Sequence, residues 1–142
     1  MTLFLDTSIL VPVFLADHPH HAASLRAFLR CAHASAFCAA HSLAEIYSTL
    51  TRLPPPHRAT AQQAALFLDG VCERLSPVSL NADEYRDVIR QASLSGIAGG
   101  AIYDYPIFSC ALKVNANPFY TWNLRHYSRF DAELSAIVQS PA

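Results

Sequence analysis

Short apolar runs alternate with helical stretches along this chain, and that alternation restricts its fold more than any other feature of the sequence. The runs have the length and composition of strands and are predicted at Leu3–Leu5, Ser35–Ala40, Pro77–Leu80, Asn117–Thr121 and Ala136–Gln139. The stretches between them repeat apolar residues at helical spacing, as Leu43, Ile46 and Leu50 do. Strands that alternate with helices favour an α/β fold in which a small sheet is mainly parallel.

The helices between these strands are predicted at Thr7–Leu15, His18–His33, Ser42–Leu53, Arg58–Leu75, Ala82–Ser95 and Gly99–Val114, with a short helical turn over Asn123–Phe130. Gly96 suits the end of the fifth helix, because helices often close on a glycine. Pro106 conflicts with a continuous helix over 99–114, since an interior proline removes a hydrogen bond and clashes with the preceding turn. Either this helix begins near Tyr103, with Pro106 in its first turn, or it is kinked.

The bulk composition excludes several classes of protein. The 142 residues fit one domain over residues 1–142, and a hydrophobic share of 52% is enough to build a core. A formal net charge of −1 does not suit a protein that binds nucleic acid through bulk charge. No apolar run approaches the roughly 20 residues of a membrane span, and no signal peptide pattern is visible. We therefore expect a cytoplasmic protein without membrane contact.

Four polar residues fall where predicted strands end or where the following helices begin. Asp6 directly follows the first strand, and Glu45 lies in the first turn of the helix after the second strand. Asp104 lies near the start of the helix after the segment G-I-A-G-G, and Asn123 follows the strand P-F-Y-T. Because parallel strands end at a common edge where ligands bind, we expect these side chains to gather there.

Three carboxylates in one place call for a positive charge. They repel one another, and the pKa of one of them would rise unless a cation lay between them. Ligands that are all oxygen suit a hard cation such as Mg²⁺ or Mn²⁺. Such ions bridge phosphates and activate water, so the arrangement indicates metal-dependent phosphodiester chemistry.

Each of these residues also has a purely structural interpretation. Asp6 is a favoured N-cap for a helix that begins at Thr7, and Ser42 with Glu45 forms an S-x-x-E capping box. Asn123 can cap the next helical turn in the same way. Asp104 is harder to explain as structure, because a lone carboxylate among apolar residues is costly to bury without a partner.

The motifs L-F-L-D-T-S-I-L-V, S-L-A-E-I-Y-S-T-L-T-R-L, G-I-A-G-G-A-I-Y-D-Y-P-I-F-S-C-A-L-K-V-N-A and F-Y-T-W-N-L-R-H-Y-S-R-F together resemble the PIN-domain ribonucleases. Over nearly the whole chain the pattern is similar to the VapC-type toxins of bacterial toxin–antitoxin pairs. The resemblance implies a three-layer α/β/α domain around a short, mainly parallel sheet. It also implies Mg²⁺- or Mn²⁺-dependent endonucleolytic cleavage of RNA.

The resemblance also assigns roles to the acids. Asp6, Glu45 and Asp104 match the family's first, second and third acids. Asp6 and Asp104 would hold the metal, and Glu45 would orient or deprotonate the attacking water. Asn123 falls where many members have a fourth Asp and would position the metal or its water. The Asn at position 123 is the main departure from the family pattern. Its amide oxygen is neutral, so a second metal site would be weakened.

Further assignments concern hydroxyls, bases and partners. The hydroxyls expected to support the acids or touch phosphate are those of Thr7, Ser8 and Thr121. Arg125 and Arg129 would meet the RNA backbone, and His126 between them is interpreted as a surface or stacking residue. The cluster H-P-H-H at 18–21 is interpreted as a helix start. A cognate antitoxin and a homodimer are the protein partners that the family suggests.

Other functions are less compatible with the residues. A haloacid-dehalogenase-like phosphatase needs a second acid two residues after Asp6, where this chain has Ser8. A dinucleotide-binding domain is also a poor match, because no G-x-G-x-x-G follows the first strand. Two alternatives stay open. The chain can be a PIN-like protein that binds RNA or a partner without cutting, or a nuclease that processes RNA outside any toxin pair.

Overall fold

The computed structural model describes residues 1–127, 130 and 135–142. The elements in this part of the chain are β1 (Leu3–Leu5), α1 (Thr7–Phe14), α2 (His21–Leu29), β2 (Ala36–Ala39), α3 (Ala40–Thr51), α4 (Ala61–Arg74), β3 (Ser76–Val78), α5 (Ala82–Leu94), a 3-10 helix (Gly99–Asp104), α6 (Tyr105–Lys113), β4 (Phe119–Tyr120), α7 (Leu124–Tyr127) and β5 (Val138–Gln139). Among these described helices, none has the length and apolar character needed to span a bilayer.

The strands of the described chain form one five-stranded sheet in the order β3-β2-β1-β4-β5. Every neighbouring pair is parallel, and β1 lies in the middle, with Phe4 opposite Phe37 of β2 on one side and Phe119 of β4 on the other. The predicted α/β fold with a short, parallel sheet is therefore confirmed.

Alternate residues of the strands enter two separate cores, which gives the domain three layers. Leu3 and Leu5 pack with residues of α1 to α4, while Phe4 between them packs with residues of α5 and α6. This is the period of two that a pleated strand imposes on its side chains. Helices therefore cover both faces of the sheet, as the resemblance implied.

Two helices differ from their predicted limits in ways that matter for the site. The helix α3 begins at Ala40, directly after β2, and not at Ser42 as predicted. The predicted helix over 99–114 is split into a 3-10 helix and α6, and Pro106 lies in the first turn of α6. The first of the two interpretations of Pro106 is therefore correct, and its missing N–H costs no helical hydrogen bond there.

Other helix ends follow local sequence signals. Thr60 and Asn81 form capping boxes with Gln63 and Glu84 at the starts of α4 and α5. Gly96 has a φ of +73° just after α5, which agrees with its predicted role in ending that helix. The helix α2 is shorter than predicted and begins at His21, after a turn that contains Pro19.

A pair of leucine variants tests the core. Leu50 in α3 is fully buried, whereas Leu66 in α4 is 71% exposed. We expect Leu50→Ala to lower the free energy of unfolding by about 2–5 kcal/mol, because it removes apolar burial and leaves a cavity. The matched Leu66→Ala change should stay within about 0.5 kcal/mol. Denaturant unfolding measures both values, and equal losses in the two variants would contradict this packing.

Candidate active site

The carboxyl ends of the central strands open into one cavity of about 600 Å³. All four polar residues predicted to gather there line it: Asp6 after β1, Glu45 in α3, Asp104 at the end of the 3-10 helix and Asn123 after β4. The side chains predicted to share one place are therefore neighbours around a single space.

Asp6 forms the floor of this cavity and is only 2% exposed. Its Oδ2 accepts hydrogen bonds from Ser8 Oγ and Thr121 Oγ1, both at 2.8 Å, and its Oδ1 accepts one from Tyr127 OH at 2.9 Å. Asp6 occupies the N-cap position of α1, but its side chain makes no cap hydrogen bond. The carboxylate therefore lines the cavity and does not cap the helix. It accepts three of the roughly four hydrogen bonds that a carboxylate can accept, so one acceptor position stays open.

Glu45 lies on the cavity wall in the second turn of α3, because that helix begins two residues earlier than predicted. The proposed capping box with Ser42 does not form, since Ala39 takes the N-cap position. Thr7 Oγ1 instead donates to Glu45 Oε1 and contacts Ser42 Oγ, at 2.8 Å in each case. The structural interpretation of Glu45 is therefore wrong.

The electrostatic state of Glu45 reflects its surroundings. Burial raises the pKa of its carboxyl group, the hydrogen bond from Thr7 and the nearby His41 oppose that rise, and the negative charges of Asp6 and Asp104 add to it. The carboxylates are close enough to influence one another, as repulsion between like charges requires. Glu45 therefore holds a proton more readily than an exposed glutamate does.

Asp104 lines the same cavity at the junction of the 3-10 helix and α6. It makes no side-chain cap hydrogen bond to α6, and its side chain is 32% exposed. Its Oδ2 lies 3.2 Å from His126 Nδ1 of α7. The cavity thus contains one buried and one partly solvated aspartate.

Asn123 lines the cavity, whereas neither predicted arginine is placed there. The backbone N–H of Asn123 donates to Thr121 Oγ1 at 2.9 Å, which fixes the residue beside the supporting hydroxyl of Asp6. Arg125 is exposed on α7 and does not line the cavity. Arg129, the other predicted contact to RNA, lies outside the described residues.

The three predicted hydroxyls of Thr7, Ser8 and Thr121 all contact carboxylates, but sequence reasoning missed the hydroxyl of Tyr127. Burial, assisted by the negative charge of Asp6, raises the pKa of Tyr127 far above its usual range. This phenol therefore stays protonated and donates to Asp6. Its one available signal was its position one helical turn after Asn123.

An aromatic wall of the cavity was also missed. His18, His20 and Trp122 line the same cavity as the acids, and the imidazole of His20 is stacked on the indole of Trp122. The segment 18–21 was interpreted as a helix start, and α2 does begin at His21. Nothing in the local pattern indicated that the residues before it face the acids.

The donors that a cation would meet here are oxygen atoms. Within residues 1–127, 130 and 135–142, there is no group of three or more His, Cys, Asp or Glu side chains that could by itself hold a metal ion. Mg²⁺ does not require one, since it keeps several waters and binds through one or two carboxylates. Asp6 and Asp104, with water between them, are compatible with such an ion.

Comparison with known proteins relates this geometry to a family. The family model described as "PIN domain" matches residues 3–131 of this chain. Ribonuclease VapC40 of Mycobacterium tuberculosis is 37% identical over 99 residues, which cover 70% of each chain. Ribonuclease VapC27 of the same organism is 37% identical over 103 residues, which cover 72% of this chain and 71% of that one.

Solved structures agree on the fold. The crystal structure of VapBC2 from Rickettsia felis, bound to a DNA fragment from their promoter, matches with a TM-score of 0.67 and 20% identity over 100% of both chains. Mycobacterium tuberculosis VapC20, a toxin that cleaves the sarcin-ricin loop, matches with a TM-score of 0.67 and 17% identity over 95% of this chain and 94% of that one. On the strength of the family match and the identity to two VapC ribonucleases, this chain belongs to the PIN domain family and to its VapC-type branch.

Proposed function

We propose that this protein is a metal-dependent endoribonuclease and the toxin of a toxin–antitoxin pair. The observation that carries the proposal is the meeting of Asp6, Glu45, Asp104 and Asn123 around one cavity at the carboxyl edge of the sheet. The names of its relatives as ribonucleases support the same activity. With a net charge of −1, the chain needs a cation if it is to hold a phosphate at this acidic edge.

Asp6 and Asp104 are the residues that would hold Mg²⁺ or Mn²⁺. Asp6 is already fixed by three hydroxyls and can offer its remaining acceptor position. Asp104 is partly solvated and can bind the ion directly or through water. A bound ion would lower the pKa of a coordinated water and offset the negative charge of the phosphodiester.

Glu45 would serve as the general base. The raised pKa makes this carboxylate a stronger base, so that it accepts a proton from water more readily. The water oxygen would form a new bond to phosphorus, and Glu45 would take the water proton. The bond from phosphorus to the leaving ribose oxygen would break, and that oxygen would keep the electron pair and take up a proton from solvent. Thr7, which donates to Glu45 Oε1, would keep the carboxylate in position.

Asn123 and the two arginines would position the substrate. Asn123 would direct its amide oxygen at the metal or its water with no charge of its own, which is weaker than the acid that many family members have there. Arg125 and Arg129 would contact phosphates next to the cleaved bond, a contact that suits the guanidinium group.

A protein partner belongs to the same proposal. The Rickettsia felis structure is of VapBC2 with promoter DNA, which supports an antitoxin that binds this chain as well. Ile89 and Leu94 on α5 are 57% and 79% exposed and provide apolar surface for the antitoxin or for a homodimer.

One prediction of this function concerns Asp104. We expect Asp104→Asn to slow Mg²⁺-dependent cleavage of RNA by about 100-fold or more, because a lost metal ligand removes several kcal/mol of stabilisation in the transition state. Asp83→Asn is the matched control, since the side chain of Asp83 is 92% exposed on α5. Purified protein and gel-resolved RNA fragments provide the measurement.

The same two variants test the toxin assignment in cells. Expression of the unchanged chain and of Asp83→Asn should arrest growth, co-expression with the neighbouring small reading frame should relieve it, and Asp104→Asn should be harmless. Undiminished cleavage by Asp104→Asn would contradict the mechanism. Binding of RNA by the unchanged chain without any cleavage would favour the non-catalytic alternative.

A second prediction follows from the pKa of Glu45. Because this pKa is raised in the folded protein, the ionised carboxylate destabilises the fold at neutral pH, and that penalty disappears as the pH falls and Glu45 becomes protonated. We expect Glu45→Gln, which still accepts from Thr7, to raise the melting temperature at pH 7.5 in EDTA. At about pH 4, close to the ordinary value for Glu, the gain should vanish.

The control for this prediction is Glu73→Gln, which changes an exposed glutamate on α4 and should leave the melting temperature unchanged. Glu45→Gln should also lose RNA cleavage, so that stability rises as activity falls. A lower melting temperature for Glu45→Gln at pH 7.5 would show that the carboxylate is a structural requirement and would contradict this account.

A further inference from the structure

The aromatic wall formed by His18, His20 and Trp122 has no role in the chemistry described above. His18 and His20 precede α2, and Trp122 follows β4, yet all three line the cavity that contains the carboxylates. A group of rings beside a candidate phosphodiester site requires an explanation of its own.

Two of these rings form a parallel stack. The centroids of His20 and Trp122 are 3.8 Å apart and the ring planes differ by 9°. The centroid of the His18 ring lies 5.7 Å from that of His20 and the two ring planes are tilted by 38°, so these two rings do not form a parallel stack. The backbone N–H of His20 donates to His18 Nδ1 at 3.0 Å, which fixes the turn that carries both rings.

Trp122 is held firmly in this position. Its Nε1–H donates at 2.9 Å to the hydroxyl of Ser24, a residue of α2 that is fully buried. Its backbone N–H donates at 2.9 Å to Ser8 Oγ, and the same hydroxyl donates to Asp6 Oδ2. One serine thus joins the stack to the carboxylate, and the indole keeps a fixed position relative to it.

The stack is open on one side. Trp122 stacks on one face of the His20 imidazole, and His20 is nevertheless exposed. A further planar ring can therefore lie against the outer face. Proteins bind unpaired bases of RNA in this way, because every base has a flat π-surface that stacks on an aromatic side chain. Stacking would also provide affinity that a chain with a net charge of −1 lacks.

We propose that His20 on Trp122 is a base-binding platform, on which an unpaired nucleobase next to the cleaved phosphate stacks. This inference rests on the proposed function and names the contact through which the site would hold an unpaired base. A paired base has both faces covered by its neighbours in the duplex and cannot reach the platform.

Trp122 is the only tryptophan of the chain, so its fluorescence reports on the platform directly. The probe is a ten-nucleotide oligoadenylate, titrated in EDTA so that no metal-dependent cleavage occurs. We expect a saturable change in Trp122 emission with this oligomer and none with a ribose–phosphate oligomer of the same length that lacks bases.

Three variants define the chemistry of the contact. His20→Ala should weaken oligoadenylate binding about tenfold, which is typical of one lost base stack, whereas His20→Phe should stay within about twofold of the unchanged protein. His33→Ala is the matched control, because His33 is exposed and precedes β2, at the amino-terminal ends of the strands. We expect this variant to bind oligoadenylate like the unchanged protein. In cleavage assays with Mg²⁺, His20→Ala should raise KM about tenfold and leave kcat within about twofold.

The outcomes separate this inference from the function on which it rests. Equal binding by His20→Ala and the unchanged protein, weak binding by His20→Phe, or an equal response to the oligomer without bases would each overturn the platform. If His20→Ala also cuts RNA with an unchanged KM, the platform fails while the nuclease assignment stands. If Asp104→Asn still cuts RNA, the nuclease mechanism fails whatever His20 does.

Discussion

The carboxylate of Asp6, held by three hydroxyl groups, is the interaction on which the arrangement of this site depends. A buried carboxylate is costly unless its oxygen atoms accept hydrogen bonds. Here the donors are Ser8 in α1, Thr121 after β4 and Tyr127 in α7. These contacts join the ends of two neighbouring strands to the last described helix, so the position of one side chain fixes the floor of the cavity.

The parallel sheet supplies the remaining geometry and also a cost. Because its strands end at one edge, it places Glu45 and Asp104 around the same cavity as Asp6. Burial and the charges of the two aspartates raise the pKa of Glu45, which means that the folded chain keeps a carboxylate where it is disfavoured. Such a conflict between local stability and residue choice is typical of sites selected for chemistry. The same cluster of negative charges would attract the proposed cation and makes Glu45 more basic.

Local patterns in the sequence predicted much of the fold. The strand β1 and the helix α5 were predicted within one residue, β1 from an uninterrupted apolar run and the end of α5 from Gly96. The S-x-x-E pattern at Ser42 misled, since β2 runs directly into α3 and leaves no room for a cap at that serine. The partner that Glu45 has instead, Thr7, lies 38 residues away in sequence. The pairing of Tyr127 with Asp6 spans 121 residues, and that of Trp122 with Ser24 spans 98. Periodicity within one segment carries no information about contacts at such separations.

The central claim is that Asp6 and Asp104 together hold a hard cation. Titration of the metal-free protein with Mn²⁺, with free Mn²⁺ followed by electron paramagnetic resonance, tests this claim without reference to any RNA. We predict that the unchanged chain binds Mn²⁺, that Mg²⁺ competes for the site, and that Asp104→Asn weakens binding about tenfold or more. An unchanged chain that binds no Mn²⁺, or an Asp104→Asn variant that binds it equally well, would contradict the account.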